Sequence, residues 1–335
     1  MKDSLFEQLP EVPPRLIPYS YWWPVGAGAL VGLLLRLVFS GDAGGPFAAM
    51  LGAFIVGAPV VVGIVTVYVA EMTARRSWRY YFGAPVVAMS VCVLATLAIQ
   101  IEGLICAIVI VPMFAIVAGL AGVAMGWICR VTNWPRSTIV SCFALLPLLA
   151  GAFEHRLPQS DLVRWQDREI FVDAPPEKVW RELVDTPHIR RAEVDTAWMY
   201  RIGVPVPEAG SGDFRDGEHL RHITMGKGIR FDQVATEWRP GERVSWRYRF
   251  AADSFPAGAL DDHVRIGGHY FDLGETTYSL AADGAGTRLS VRMRYRVSTS
   301  FNWYAGPVAD FLVGDFADRI LVFYARRAVQ PPTAS

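Results

Sequence analysis

The residues of this 335-residue chain best equipped for chemistry are its six histidines, together with arginines and aromatics set in alternation. All six histidines lie in or at the edge of the second half. The nearest approach to an acid/base set is His222 with Glu193 or Asp232, an imidazole and a carboxylate that could pass a proton inside a pocket. Surface or structural histidine is the simpler account, because residue type and not spacing suggests that set. His219 and His222 are three apart on an expected strand, so they point to opposite faces and cannot share a metal from it. The sequence contains no HExxH, CxxC, GxSxG or phosphate-binding loop, and neither a metal nor a cofactor is expected. Cys92, Cys106, Cys129 and Cys142 are widely spaced in an apolar stretch, where small sulfur side chains serve helix packing.

The aromatics and arginines are ordered by period-2 alternation. In 243–250, Val244, Trp246, Tyr248 and Phe250 face one way, while Arg243, Ser245, Arg247 and Arg249 face the other. In 288–297, Leu289, Val291, Met293, Tyr295 and Val297 oppose Arg288, Ser290, Arg292, Arg294 and Arg296. Such alternation gives a sheet with one buried and one wet face. Trp246, Tyr248, Met293 and Tyr295, with Phe311 and His222, are therefore candidates to line an apolar pocket, although a filled core uses the same residue types. Arg247, Arg249, Arg292, Arg294 and Arg296 are candidates for docking on anionic lipid, unless acidic residues on neighbouring strands neutralise them.

The elements that must position these residues follow in order. A short strand at 168–172 precedes a helix that opens on Pro175-Pro176, proline suiting a first turn. A second short helix is expected at 188–193, and weaker strands near 198–204, 218–225, 229–238 and 269–280. Turns at Arg239-Pro240-Gly241-Glu242 and 282–286 mark hairpins. A closing helix is expected with Pro307 in its first turn and Val308, Phe311, Leu312, Phe316, Ile320, Phe323 and Tyr324 on one stripe. A curved antiparallel sheet wrapped around that helix leaves a cavity between them.

This order of elements, with the segment from Val172-Asp173-Ala174-Pro175-Pro176 to Val179-Trp180 and the run Glu237-Trp238-Arg239-Pro240-Gly241-Glu242, resembles the START-like, polyketide-cyclase-like helix-grip superfamily (SRPBCC). The resemblance covers roughly the last half of the chain. It implies an α+β domain with a deep apolar pocket for lipids, sterols, polyketides or similar ligands, and it fixes no reaction.

The first half differs in kind. Residues 1–153 hold only 8 of the 32 Lys+Arg and 6 of the 32 Asp+Glu. Five segments approach the roughly 20 apolar residues that cross a bilayer, at 22–39, 47–70, 82–101, 104–129 and 137–153. Arg36 is expected to snorkel from the end of the first. Pro59, Pro112 and Pro147 are expected to kink or break their helices, and Gly28/Gly32 and Gly122/Gly126 to favour close helix contact. Basic connections at 75–79 and 130–136, with Trp78 and Trp134 beside them, place the N-terminus in the cytoplasm. The expected organisation is a cytoplasmic tail (1–21), a membrane all-α bundle (22–153), a linker (154–166) and the helix-grip domain (167–330). Five spans put that domain outside the cytoplasm, with a bacterial inner membrane as the setting.

A formal net charge of zero gives no global sign of nucleic acid as a partner. The expected function is a membrane-anchored binding or carrier protein for a lipid-like or other apolar small molecule. Membrane lipids are further partners, and a homo-oligomer could form through the membrane helices. The alternatives are a cyclase- or aromatase-like enzyme using the same pocket, and a structural or sensory protein with a protein partner.

Overall fold

The computed structural model describes residues 17–132, 141–261 and 263–330. The tail at 1–16, Trp134 and most of the second basic connection lie outside the described residues, as does the start of the fifth apolar segment. The chain divides into two compact units, Met1–Gln159 and Ser160–Ser335.

The first unit is helical: α1 (Ile17–Val38), α2 (Gly52–Ile55), α3 (Gly57–Glu71), α4 (Trp78–Ala98), α5 (Leu104–Thr132) and α6 (Ser141–Glu154). Three stretches among the described residues are long and apolar enough to cross a membrane: Gly52–Glu71, Trp78–Ala98 and Leu104–Thr132. These correspond to three of the five expected segments; the other two coincide with shorter apolar helices at Trp22–Val38 and Leu145–Glu154. As described, α6 has 14 residues, which at 1.5 Å each reach about 21 Å against a core of about 30 Å.

Proline explains one interruption. Pro59 falls in the first turn of α3, where its missing N–H costs little, and the helix breaks just before it at Val56. Glu154 caps the start of α2, accepting the backbone N–H groups of Gly52 and Ala53 at 2.7 Å. Arg36 does not snorkel. It is buried, donating to Glu102 and to the Phe39 carbonyl, because a paired charge avoids the desolvation penalty that snorkelling would otherwise relieve. The glycine pairs serve packing within the bundle: a Cβ at Gly32 would meet Val62 and Cys92, and one at Gly126 would meet the Tyr81 ring.

The second unit contains β1 (Leu162–Val172), α7 (Pro176–Val184), α8 (Arg191–Val194), α9 (Trp198–Arg201), β2 (Pro207–Arg215), β3 (Glu218–Met225), β4 (Ile229–Arg239), β5 (Arg243–Arg249), β6 (Phe271–Asp283), β7 (Gly286–Val297) and α10 (Asn302–Val329). The strands form one antiparallel sheet in the order β1-β7-β6-β5-β4-β3-β2. Bulges in β2, β4 and β6 add local twist and curl the sheet toward α10. Val179 and Leu183 are one turn apart on α7 and fully buried, which stabilises the unit by about 1.5–3 kcal/mol each. They join Val244, Trp246, Tyr278, Leu289 and Tyr295 of the sheet and Val313, Ala317 and Leu321 of α10 in one core.

Two expectations for local structure are corrected. The segment expected as a strand at 198–204 begins as a helical turn, because the Asp315 carboxylate accepts the Trp198 N–H at 2.7 Å and fixes a helix start. Helix α10 starts at Asn302, so Pro307 lies inside it and not in its first turn.

Candidate ligand-binding site

Between the sheet and α10 lies an apolar cavity of about 160 Å³. Its walls come from Ile223 and Met225 (β3), Phe231 and Gln233 (β4), Tyr248 (β5), Leu273 and Tyr278 (β6) and Met293 (β7). Val313, Phe316, Ile320 and Tyr324 of α10 close one side, and Phe255 and Leu260 of the β5–β6 connection close another. Met199 and Tyr200 of α9 and Arg221 of β3 also line it. Neither a carboxylate nor a histidine is among these lining residues.

The polar groups in the walls are few and mostly satisfied. Tyr248 Oη lies 2.7 Å from Thr276 Oγ1. Burial pushes the phenols of Tyr200, Tyr248 and Tyr278 above their ordinary range, so all three stay protonated at neutral pH. They are hydrogen-bonding groups here and not bases. Gln233 Oε1 is buried without a partner among the described residues.

The exception is Arg221, which is 4% exposed. It lies on the same face of β3 as Ile223 and Met225. Its Nε donates to the Gly210 carbonyl at 3.4 Å, Nη1 to Tyr324 Oη at 2.9 Å and Nη2 to Thr186 Oγ1 at 3.1 Å. The guanidinium lies so close over β2 that a Cβ on Gly210 would sit 2.7–2.9 Å from three of its atoms. All three acceptors are neutral, and no salt bridge reaches it among the described residues. No expectation from sequence included Arg221, because apolar residues fall on both parities of β3 and its phase with Ile223 and Met225 does not by itself mark the inner face.

Of the expected pocket residues, Tyr248 and Met293 line the cavity. Trp246 is fully buried in the core, its Nε1 without a partner among the described residues, and Tyr295 is buried with its hydroxyl donating to Asp310. Burial, reinforced by that carboxylate, pushes the Tyr295 phenol up to about 12. Phe311 is 56% exposed and turned toward Trp198. It lies about 200° round the helix from Val313, at 100° per residue, so burying Val313 turns Phe311 outward.

His222 alternates with Arg221 and so occupies the outer face of the sheet. There it meets Asp232 at 2.7 Å and Asp213 at 3.5 Å. The hydrogen bond to Asp232 is the main cause of a raised imidazole pKa. Glu193 is not part of that group; it is held by Arg327 at 3.1 Å. The outer arginines find carboxylates: Arg249 meets Glu218 at 2.8 Å, Arg292 meets Asp167 at 2.5 Å and Arg296 meets Asp161 at 3.5 Å. Arg294 lies over the Trp165 ring, and Arg247 is exposed.

Residues 167–328 match the family described as polyketide cyclase / dehydrase and lipid transport. This segment is a polyketide-cyclase-type SRPBCC domain. Among solved structures, the SRPBCC domain is similar to TTHA0849 from Thermus thermophilus, at 19% identity over 50% of this chain and 97% of that one, with a TM-score of 0.32. It is also similar to the Zhui aromatase/cyclase from Streptomyces sp. R1128, at 13% identity over 52% and 100%, with a TM-score of 0.32. A third is protein Ms6760 from Mycobacterium smegmatis, at 16% identity over 53% and 100%, with a TM-score of 0.29. No curated protein matches the chain.

Proposed function

We propose that this is a membrane-anchored binding or carrier protein whose SRPBCC domain holds a lipid-like or other apolar small molecule between sheet and α10. The observation that carries this reading is the cavity itself, about 160 Å³ bounded mostly by apolar side chains, far larger than the water-sized voids of a packed core. An apolar cavity of about 150 Å³ accepts a benzene-sized guest, so one ring or a short chain fits. The family description, which includes lipid transport, agrees. Tethering near a bilayer raises the local concentration of a membrane-derived ligand around the domain.

The helical unit is the anchor. The two shorter apolar helices complete five spans, with the N-terminus in the cytoplasm of a bacterial cell and the SRPBCC domain across the inner membrane from it. Docking of the sheet on anionic lipid rests on Arg247 and Arg294, whose charges no carboxylate takes up among the described residues. A cyclase-like reaction in this pocket has less support, since the His222–Asp232 pair is on the other face of the sheet.

Native mass spectrometry of the full chain, purified in mild detergent, tests the binding function. A retained apolar compound of one-to-one stoichiometry is the expected result. A clean apo protein that takes up nothing from a membrane extract refutes it and favours a protein partner.

A further inference from the structure

Arg221 is a buried cation in an apolar cavity that, among the described residues, offers it only neutral acceptors. A guanidinium carries five N–H donors, and three are used, one each by Gly210, Tyr324 and Thr186. One N–H on each Nη is left over. A buried charge without an opposite charge is strongly destabilising, and a replacement as small as methionine would fill the same space without it. The surroundings nevertheless hold this group in place. Gly210 provides a surface with no Cβ for it to lie on, and the Tyr324 hydroxyl is turned to it from α10. The tyrosines near it are protonated and supply no counter-charge.

We infer that the ligand is an organic anion, an apolar body bearing a carboxylate, and that its carboxylate is the missing partner of Arg221. The two remaining Nη hydrogens suit the two oxygens of a carboxylate, a pairing that gives direction as well as strength. The apolar body then lies against Met293, Phe316 and Ile320. Gln233 Oε1 is an acceptor, so it takes a donor of the ligand or a water, not the anion. A cavity of about 160 Å³ limits the body to roughly one aromatic ring or a short aliphatic chain, which excludes an intact phospholipid. This inference rests on the binding function proposed above and adds the chemical class of the ligand.

The test compares phenylacetate with 2-phenylethanol, near-isosteres that differ in charge, by calorimetric titration of the full chain in detergent. Wild type is expected to prefer the acid by about tenfold to a hundredfold, the range of a charged hydrogen bond in a buried site. Arg221→Met is expected to abolish that preference while still binding the alcohol. Should this variant fail to fold, methyl NMR of wild type replaces it, the acid being expected to shift Met225 and Met293, which line the cavity. Equal binding of acid and alcohol overturns the anion while leaving an apolar pocket. An acid preference that survives in Arg221→Met, or that leaves both methyl signals unmoved, also overturns it. Failure of both compounds to bind overturns the pocket as well.

Discussion

Replacing Gly210 with alanine tests whether the buried guanidinium is held as described. The new Cβ would lie 2.7 Å from Nη2, 2.8 Å from Nε and 2.9 Å from Cζ of Arg221. Comfortable contact begins near 3.5 Å, so the guanidinium must retreat by roughly 0.7 Å. Retreat from β2 forfeits the bond to the Gly210 carbonyl and strains the bond to Thr186. Losing one hydrogen bond to a charged group costs about 1.5–3 kcal/mol. Alanine returns about 0.4–1 kcal/mol by restricting the unfolded chain, leaving a net loss of about 1–2 kcal/mol. For a domain of this size that lowers Tm by roughly 3–6 °C, measured by calorimetry on the full chain in detergent. In an Arg221→Met background the obstacle is gone and alanine becomes neutral or mildly stabilising, a coupling of about 1.5–3 kcal/mol. If alanine costs the same in both backgrounds, the packing of Arg221 on Gly210 is not what holds the site.

Three further outcomes are expected. NMR titration of His222 gives a midpoint above the ordinary 6.5, which Asp232→Asn lowers. Because the folded pKa is raised, the pair's contribution to stability is complete below the unfolded pKa and is lost as pH rises through the folded value. Leu183→Ala costs about 2–5 kcal/mol by calorimetry, whereas Phe311→Ala costs less than about 1 kcal/mol, because only the first empties a packed site. In the helical unit, Gly126→Leu drives a side chain into the Tyr81 ring and lowers the temperature at which the detergent-solubilised chain aggregates, while Gly83→Ala, which meets nothing within 4 Å, does not.

What was legible in the sequence follows from how each element is held. Strands β5 and β7 could be read because one face of each is buried and the other wet. Strand β2 could not: Pro-Glu-Ala-Gly-Ser-Gly-Asp-Phe-Arg shows no alternation, since it lies at the sheet edge and uses Gly210 to seat Arg221. A usable signal was Asp216-Gly217, both with positive φ, which makes the two-residue turn into β3. Arg221 was hidden for a related reason. In Glu218–Met225 both parities carry apolar residues, and Leu220 and Arg221 are both buried, so alternation did not say which face held the cavity. The start of α9 depends on Asp315, 117 positions away, and no local motif announces a cap from another element.

Occupancy of the cavity between the sheet and α10 is what the binding function requires. The most direct measurement compares the apolar compound retained by the full chain, by mass spectrometry after gentle purification, with that retained by Ile320→Trp, which fills the cavity from α10. Wild type is predicted to carry a one-to-one ligand that the variant, folded by its melting transition, has lost. Equal retention by both proteins would contradict the account, because it would place the ligand somewhere other than between the sheet and α10.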